Sequence, residues 1–144
     1  MNETTRPIPP SGIEIKRLLA IAERDLNQAQ LSELHPDTRF ALAYNADLQL
    51  ATVILRLHGI RVRSAGFHRQ TFIELSKCLD EERQMIAGYF DRARRKRNTV
   101  AYEQIGVVSE GEVIDLIGQV DQFREWVIQK VETQIPQISK NDGE

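Results

Sequence analysis

Apolar residues recur along this chain at three- and four-residue intervals, and no segment shows sustained apolar–polar alternation. The first stripe is Ile15, Leu18, Leu19, Ala22, Leu26 and Ala29, which share one face of a helix. Ser11 and Glu14 stand before it in capping-box spacing, each side chain able to satisfy an amide that the first turn leaves open. Residues 32–36 break the pattern, because Pro36 lacks an amide hydrogen and disfavours helix at the residue before it. A second stripe, Phe40, Ala43, Tyr44, Leu48, Ala51, Ile54, Leu55 and Leu57, predicts a helix capped by Asp37 and stopped at Gly59. It is the most apolar of the set and belongs at the centre of the fold.

After a linker over residues 60–66, a shorter third helix is predicted near 68–79. Asp80 is placed to cap a fourth over 81–102. A second capping box, Ser109 with Glu112, opens a fifth, whose stripe is Val113, Leu116, Ile117, Val120, Phe123, Val127 and Val131 and whose end is Pro136. Residues 1–10 hold three prolines and read as a disordered lead-in; residues 137–144 read as a polar, frayed tail. The expected architecture is one all-α domain over 11–136, an antiparallel helical bundle of about five helices.

Composition narrows the function classes. At 144 residues and 41% hydrophobic, the chain can bury one core, and 8 glycines with 5 prolines are few for a many-turned β fold. A net charge of -2 removes any global basic field, so nucleic-acid binding would have to come from a local patch. The lone Cys78 excludes an intramolecular disulfide and multi-cysteine zinc frameworks, and its neighbours Phe72, Leu75 and Leu79 predict a buried thiol. The most apolar stretch, 48–57, is interrupted by Gln49 and Arg56 and is too short to span a membrane. The first residues lack the apolar core of a signal peptide, so a cytoplasmic location is expected. The glycines form no phosphate-binding loop and no histidine pair has metal-ligand spacing, so neither a cofactor nor a metal is expected.

The chemically pointed feature is a basic run. Arg92, Arg94, Arg95, Lys96 and Arg97 are five cations in six positions. At 100° per residue, Ile86, Phe90, Ala93 and Val100 share one face with Arg97 on its centre line, while Arg95, Asn98 and Tyr102 lie opposite. A guanidinium on an apolar stripe needs partners for its five donors. Arg97 is therefore expected to pair with a carboxylate such as Glu81 or Asp47, to lie at an interface, or to line a cleft. The plain alternative is a solvated basic face. Arg61 and Arg63 extend the basic surface if their linker folds back over the fourth helix, and are otherwise a solvated loop.

The segment over 93–103, with Arg97, Asn98, Tyr102 and Glu103, resembles the signature of the HEPN superfamily of helical bundles: an arginine, a polar residue, and a histidine four to six positions on. The order of helices, the long second helix ending at Leu57, His58 and Gly59, and the segment Gly66, Phe67 and His68 are similar to a bacterial branch of it. The likeness covers most of residues 12–130. It implies a metal-independent ribonuclease site formed across a homodimer, with Arg97 neutralising phosphate charge, Asn98 orienting it and a histidine moving protons. The chain departs from the pattern at the histidine, where Tyr102 stands after four intervening residues. A phenol titrates near 10 and is a poor base at neutral pH, so Tyr102 is read as a group that stacks on a base, donates to phosphate or accepts a covalent modification.

Of the three histidines, His35 precedes a proline in a loop and is expected to be exposed, and His58 to cap the second helix near the favourable end of its dipole. His68 is the candidate to replace the missing motif histidine, on condition that the third helix packs beside Arg97; otherwise it is structural. Trp126 is expected in the core or at a dimer interface. The leading expectation is thus an RNA-binding protein of the toxin or defence ribonuclease type, or its inactive derivative. Arg92, Arg94, Arg95 and Lys96 would supply salt-sensitive affinity, and an antitoxin or nucleotidyltransferase would be its partner. The alternatives are a non-catalytic module that docks an acidic protein or a nucleotide, and a purely structural bundle.

Overall fold

The computed structural model describes residues 5–7, 10–63, 66–102 and 106–141, with side chains over 10–63, 66–99 and 106–134. Five helices pack together: α1 (Gly12–Ala29), α2 (Pro36–Leu57), α3 (Phe67–Cys78), α4 (Gln84–Tyr102) and α5 (Glu110–Asn141). The all-α bundle is as the apolar periodicity predicts.

Helix α2 is the hub, packed against each of the other four. Every residue from 50 to 57 is buried, Arg56 included, which explains why this helix reads as apolar nearly all round rather than along one stripe. A chain of rings then links the layers. Tyr44 of α2 meets Phe72 of α3 at 6.0 Å, Phe72 meets Phe90 of α4 at 6.2 Å, and Phe90 meets Phe123 of α5 at 5.1 Å. Such offset contacts contribute about 0.5–1.5 kcal/mol each beyond the area they bury. Trp126 is buried at the end of this chain, stacked on Phe123, with Arg83 and Lys130 over its ring at 5.1 and 5.4 Å.

Helix ends follow the sequence signals with one shift. The Ser109–Glu112 box closes in both directions, at 3.0 and 3.1 Å. Asp80 accepts from the Arg83 amide at 3.0 Å, opening a single 3₁₀ turn, Glu81–Arg83, that leads into α4. At α2 the cap is His35, not Asp37: its Nδ1 accepts the Asp37 amide hydrogen at 3.0 Å, and Pro36 takes the first helical position, where a missing amide hydrogen costs nothing. The Asp37 carboxylate instead accepts from the Gly106 amide at 2.8 Å, tying the start of α2 to the segment before α5. His58 caps the other end of α2 as expected, its Nδ1–H donating to the Ile54 carbonyl at 2.9 Å.

Two boundaries differ from the sequence reading. Part of the lead-in forms a strand: β1 (Thr5–Pro7) pairs antiparallel with β2 (Ile60–Val62), Thr5 opposite Val62. A three-residue strand is too short to show a period of two, so it left no trace in the pattern. Helix α5 also runs through Pro136 to Asn141, because a proline removes one amide bond without preventing the turns on either side from continuing. Among the described residues no helix is long and apolar enough to cross a membrane.

Candidate functional site

Helices α3 and α4 form an antiparallel hairpin. The Gln84 side-chain amide pins its bend by donating to the carbonyls of Ser76 at 3.0 Å and Leu79 at 2.7 Å. The Phe72–Phe90 contact then fixes the register. One turn back from Phe72 on α3 is His68; one and two turns on from Phe90 on α4 are Arg94 and Arg97. Opposite chain directions therefore bring these three side chains to the same level, over the Tyr44 and Asp47 turn of α2.

His68 is half-buried, with its Nδ1 3.0 Å from the Tyr44 hydroxyl and the two rings 5.8 Å apart. The Phe67 ring lies 5.8 Å from the imidazole, edge-on. Burial, followed by the positive charges of Arg97 and Arg94, holds the His68 pKa below the ordinary histidine value, so the ring is neutral at pH 7. Burial and the nearby Asp47 carboxylate push the Tyr44 phenol well above its usual range, although Arg94 and Arg97 oppose the shift. The condition set for His68 by the sequence is met: α3 packs beside Arg97.

Asp47 is fully buried at 0% exposure, and neither carboxylate oxygen has a hydrogen-bond partner among the described residues. Burial raises its pKa well above the usual carboxylate value. Arg97 is half-buried on the stripe of Phe90 and Ala93 and makes no ion pair with any described carboxylate. The pairing expected with Glu81 or Asp47 does not form. Glu81 is 16 residues away, roughly 24 Å along the α4 direction, and Asp47 has no partner at all among the described residues.

The rest of the basic run divides by helical phase. Arg94 bonds Asp91 at 2.8 Å, and exposed Arg95 stands 3.6 Å from the same carboxylate. Arg92 and Lys96 turn to the α5 side, where Arg92 lies over the Tyr89 ring at 5.9 Å and Lys96 reaches Glu112 at 3.4 Å. With Phe40, Tyr89, Ala93, Glu112 and Asp115 they line a cavity of about 320 Å³. Asn98 is half-buried beside Arg94, and the Tyr102 side chain lies outside the described residues.

Arg61 does not extend this surface. Its Nη2 is 2.8 Å from Glu14 of α1, beside Arg56, because the β1–β2 ribbon carries the linker toward α1 rather than over α4; Arg63 is exposed beyond it. Cys78 is half-buried, and burial with the neighbouring Glu74 lifts its thiol to about 11, too high for a nucleophile at neutral pH. Among the described residues no group of three or more His, Cys, Asp or Glu side chains is arranged to hold a metal ion.

Tyr44 and Asp91 escaped the sequence reading as site residues, and Asp47 entered it only as a possible partner for Arg97. The available signal was Asp47 itself, a carboxylate inside the most apolar helix and one turn from Tyr44. Comparison with protein-family models, curated proteins and solved structures returns no match.

Proposed function

We propose that this chain is a HEPN-like nucleic-acid-binding protein that acts on RNA, with Arg97 and Arg94 holding phosphate at the junction of α2, α3 and α4. The observation that carries the reading is the half-buried Arg97 guanidinium, which has no ion pair with a described carboxylate and whose charge helps hold the His68 pKa down. A cation placed this way is stabilised by an anion that arrives from outside, and a phosphate oxygen pair matches the guanidinium fork. Arg95 and Arg92, both exposed, add attraction that salt weakens. The resemblance around Arg97 and Asn98 supports the same assignment. It also implies a homodimer, in which two junctions border one cleft, and an antitoxin-like or nucleotidyltransferase partner.

Binding of a fluorescent single-stranded RNA to the full chain tests this reading. Affinity should fall about tenfold between roughly 50 and roughly 200 mM salt, the drop expected for a few phosphate contacts. Arg97→Ala should weaken it by about tenfold at fixed salt, the loss of one charge-assisted contact. Absence of binding at low salt, or binding indifferent to Arg97→Ala, contradicts it. A second reading, a module that docks an acidic protein or a nucleotide, draws on the pairing of Arg94, Arg95 and Lys96 with Asp91 and Glu112, which shortens the basic track. Tight binding of a mononucleotide with none of an RNA strand would favour it.

A further inference from the structure

Helix α4 packs on α2 and α3, and it meets α5 mainly through side chains that reach across a cleft. The floor of that cleft is apolar: Phe40 of α2 and Ala93 of α4, both buried, with the half-buried Tyr89 ring beside them. We propose that this cavity, about 320 Å³, binds an aromatic α-amino acid. The ring of the ligand lies on the apolar floor, its carboxylate on Arg92 and Lys96, and its ammonium on Asp115 and Glu112. The inference stands apart from the nucleic-acid reading, since neither Arg97 nor His68 lines the cavity.

Helical spacing builds the rim. Tyr89, Arg92, Ala93 and Lys96 are three and four residues apart and share one face of α4, while Glu112 and Asp115 are three apart on α5. A pair of cations thus stands opposite a pair of carboxylates, yet the two sides do not close on each other. Arg92 has no ion pair with a described carboxylate. Its guanidinium lies over the Tyr89 ring at 5.9 Å and beside the bare backbone of Gly88, where a Cβ would sit 3.6 Å from Nη1. Asp115 Oδ2 accepts from the Tyr89 hydroxyl at 2.5 Å, and Oδ1 accepts from no described residue. Lys96 stands 3.4 Å from Glu112, whose other oxygen accepts the Ser109 amide hydrogen at 3.0 Å.

Opposite charges held apart around an apolar floor decide the chemistry of the ligand. A plain anion meets Asp115 and Glu112, and a plain cation meets Arg92 and Lys96, so half of the rim repels either one. A zwitterion is attracted by both halves. Glu112 is ionised at neutral pH, kept below the usual carboxylate range by the Ser109 backbone bond and by Lys96. The two rings of the floor offer an aromatic side chain offset or edge-on contacts. The volume is at the small end of ligand pockets and suits a single amino acid.

Titration of the isotope-labelled full chain with L-phenylalanine, followed by amide NMR, tests the proposal. Saturable shifts should centre on Tyr89, Ala93 and Glu112 and be half-complete near about 0.5 mM. Hydrocinnamate, which lacks the ammonium, and phenethylamine, which lacks the carboxylate, should each bind at least roughly tenfold more weakly, the loss of one charge-assisted pair. Arg92 and Asp115 are both exposed, so substitutions there leave the core intact. Arg92→Gln should weaken phenylalanine binding by about tenfold. Asp115→Asn should weaken it by a similar factor but tighten hydrocinnamate, because a repelling charge is gone; a loosened fold would not reverse preference in this way. Absence of saturable shifts in the cleft at about tenfold higher phenylalanine overturns the proposal. So does hydrocinnamate binding as tightly as phenylalanine, or phenylalanine binding that is indifferent to Arg92→Gln.

Discussion

Two sides of helix α2 treat buried polar groups in opposite ways. Toward α1 the buried ions Asp25, Arg39 and Arg56 are all partnered. Arg56 bonds Glu14 and the Ile60 carbonyl at 2.6 Å, and Arg39 bonds the Ala29 carbonyl at 2.8 Å and Glu110. Asp25 is held by Arg24 at 3.0 Å and by Asn45. At the junction with α3 and α4, nine residues before Arg56, Asp47 has no described partner and Arg97 has no ion pair with a described carboxylate. A helix that satisfies its ions so completely on one side is not short of partners by accident on the other. Burying a polar group without a hydrogen bond costs about 1–3 kcal/mol in proteins, and chains tolerate such costs chiefly where function requires them.

Substitutions on the two sides should therefore move stability in opposite directions. Arg56→Ala removes the centre of the closed cluster and should cost about 3 kcal/mol in denaturant unfolding; a cost near zero would erase the contrast. Asp47→Asn should stabilise the fold by about 2 kcal/mol at pH 7. The sign follows from proton binding. With its folded pKa raised, Asp47 keeps a proton that the unfolded chain releases, so wild-type stability falls as pH rises above the ordinary carboxylate value toward the folded one. The gain from Asp47→Asn should then be larger at pH 7 than near pH 4, and a gain that does not change with pH would break the argument.

Ser109→Ala, far from the junction, removes one half of a closed capping box and should cost about 1 kcal/mol by thermal or denaturant melting. The smallest effect is electrostatic. His68 is neutral in the fold at a pH where the unfolded chain is partly charged, so stability declines as pH falls below about 6.5 and through the lower folded pKa. Arg97→Ala removes one of the charges that depress it, and the His68 titration followed by NMR should move upward. An unmoved titration would mean that Arg97 and His68 are not neighbours.

Much of this was legible in the sequence, and the remainder was hidden for physical reasons. Arg97 stood out because a guanidinium on the line of Phe90 and Ala93 violates the apolar period, and the structure keeps it there, half-buried. The Ser109–Glu112 box and the Asp80 cap are local and depend on residues three apart, so spacing alone reveals them. The meeting of His68 with Tyr44 is a contact between helices 24 residues apart, set by the hairpin register of Phe72 on Phe90, and no local pattern encodes it. The direction of Arg61 stayed open for the same reason: it depends on a strand pair between residues 5–7 and 60–62.

The central claim, that Arg97 at this junction receives phosphate, is tested most directly by following the His68 imidazole by NMR while single-stranded RNA is added to the full chain. A phosphate held by Arg97 and Arg94 brings negative charge to the ring, so the His68 signals should shift with RNA and its pKa should rise from its depressed value. If RNA binds while His68 keeps its position and its pKa, the phosphate lies elsewhere and the account of the junction is wrong.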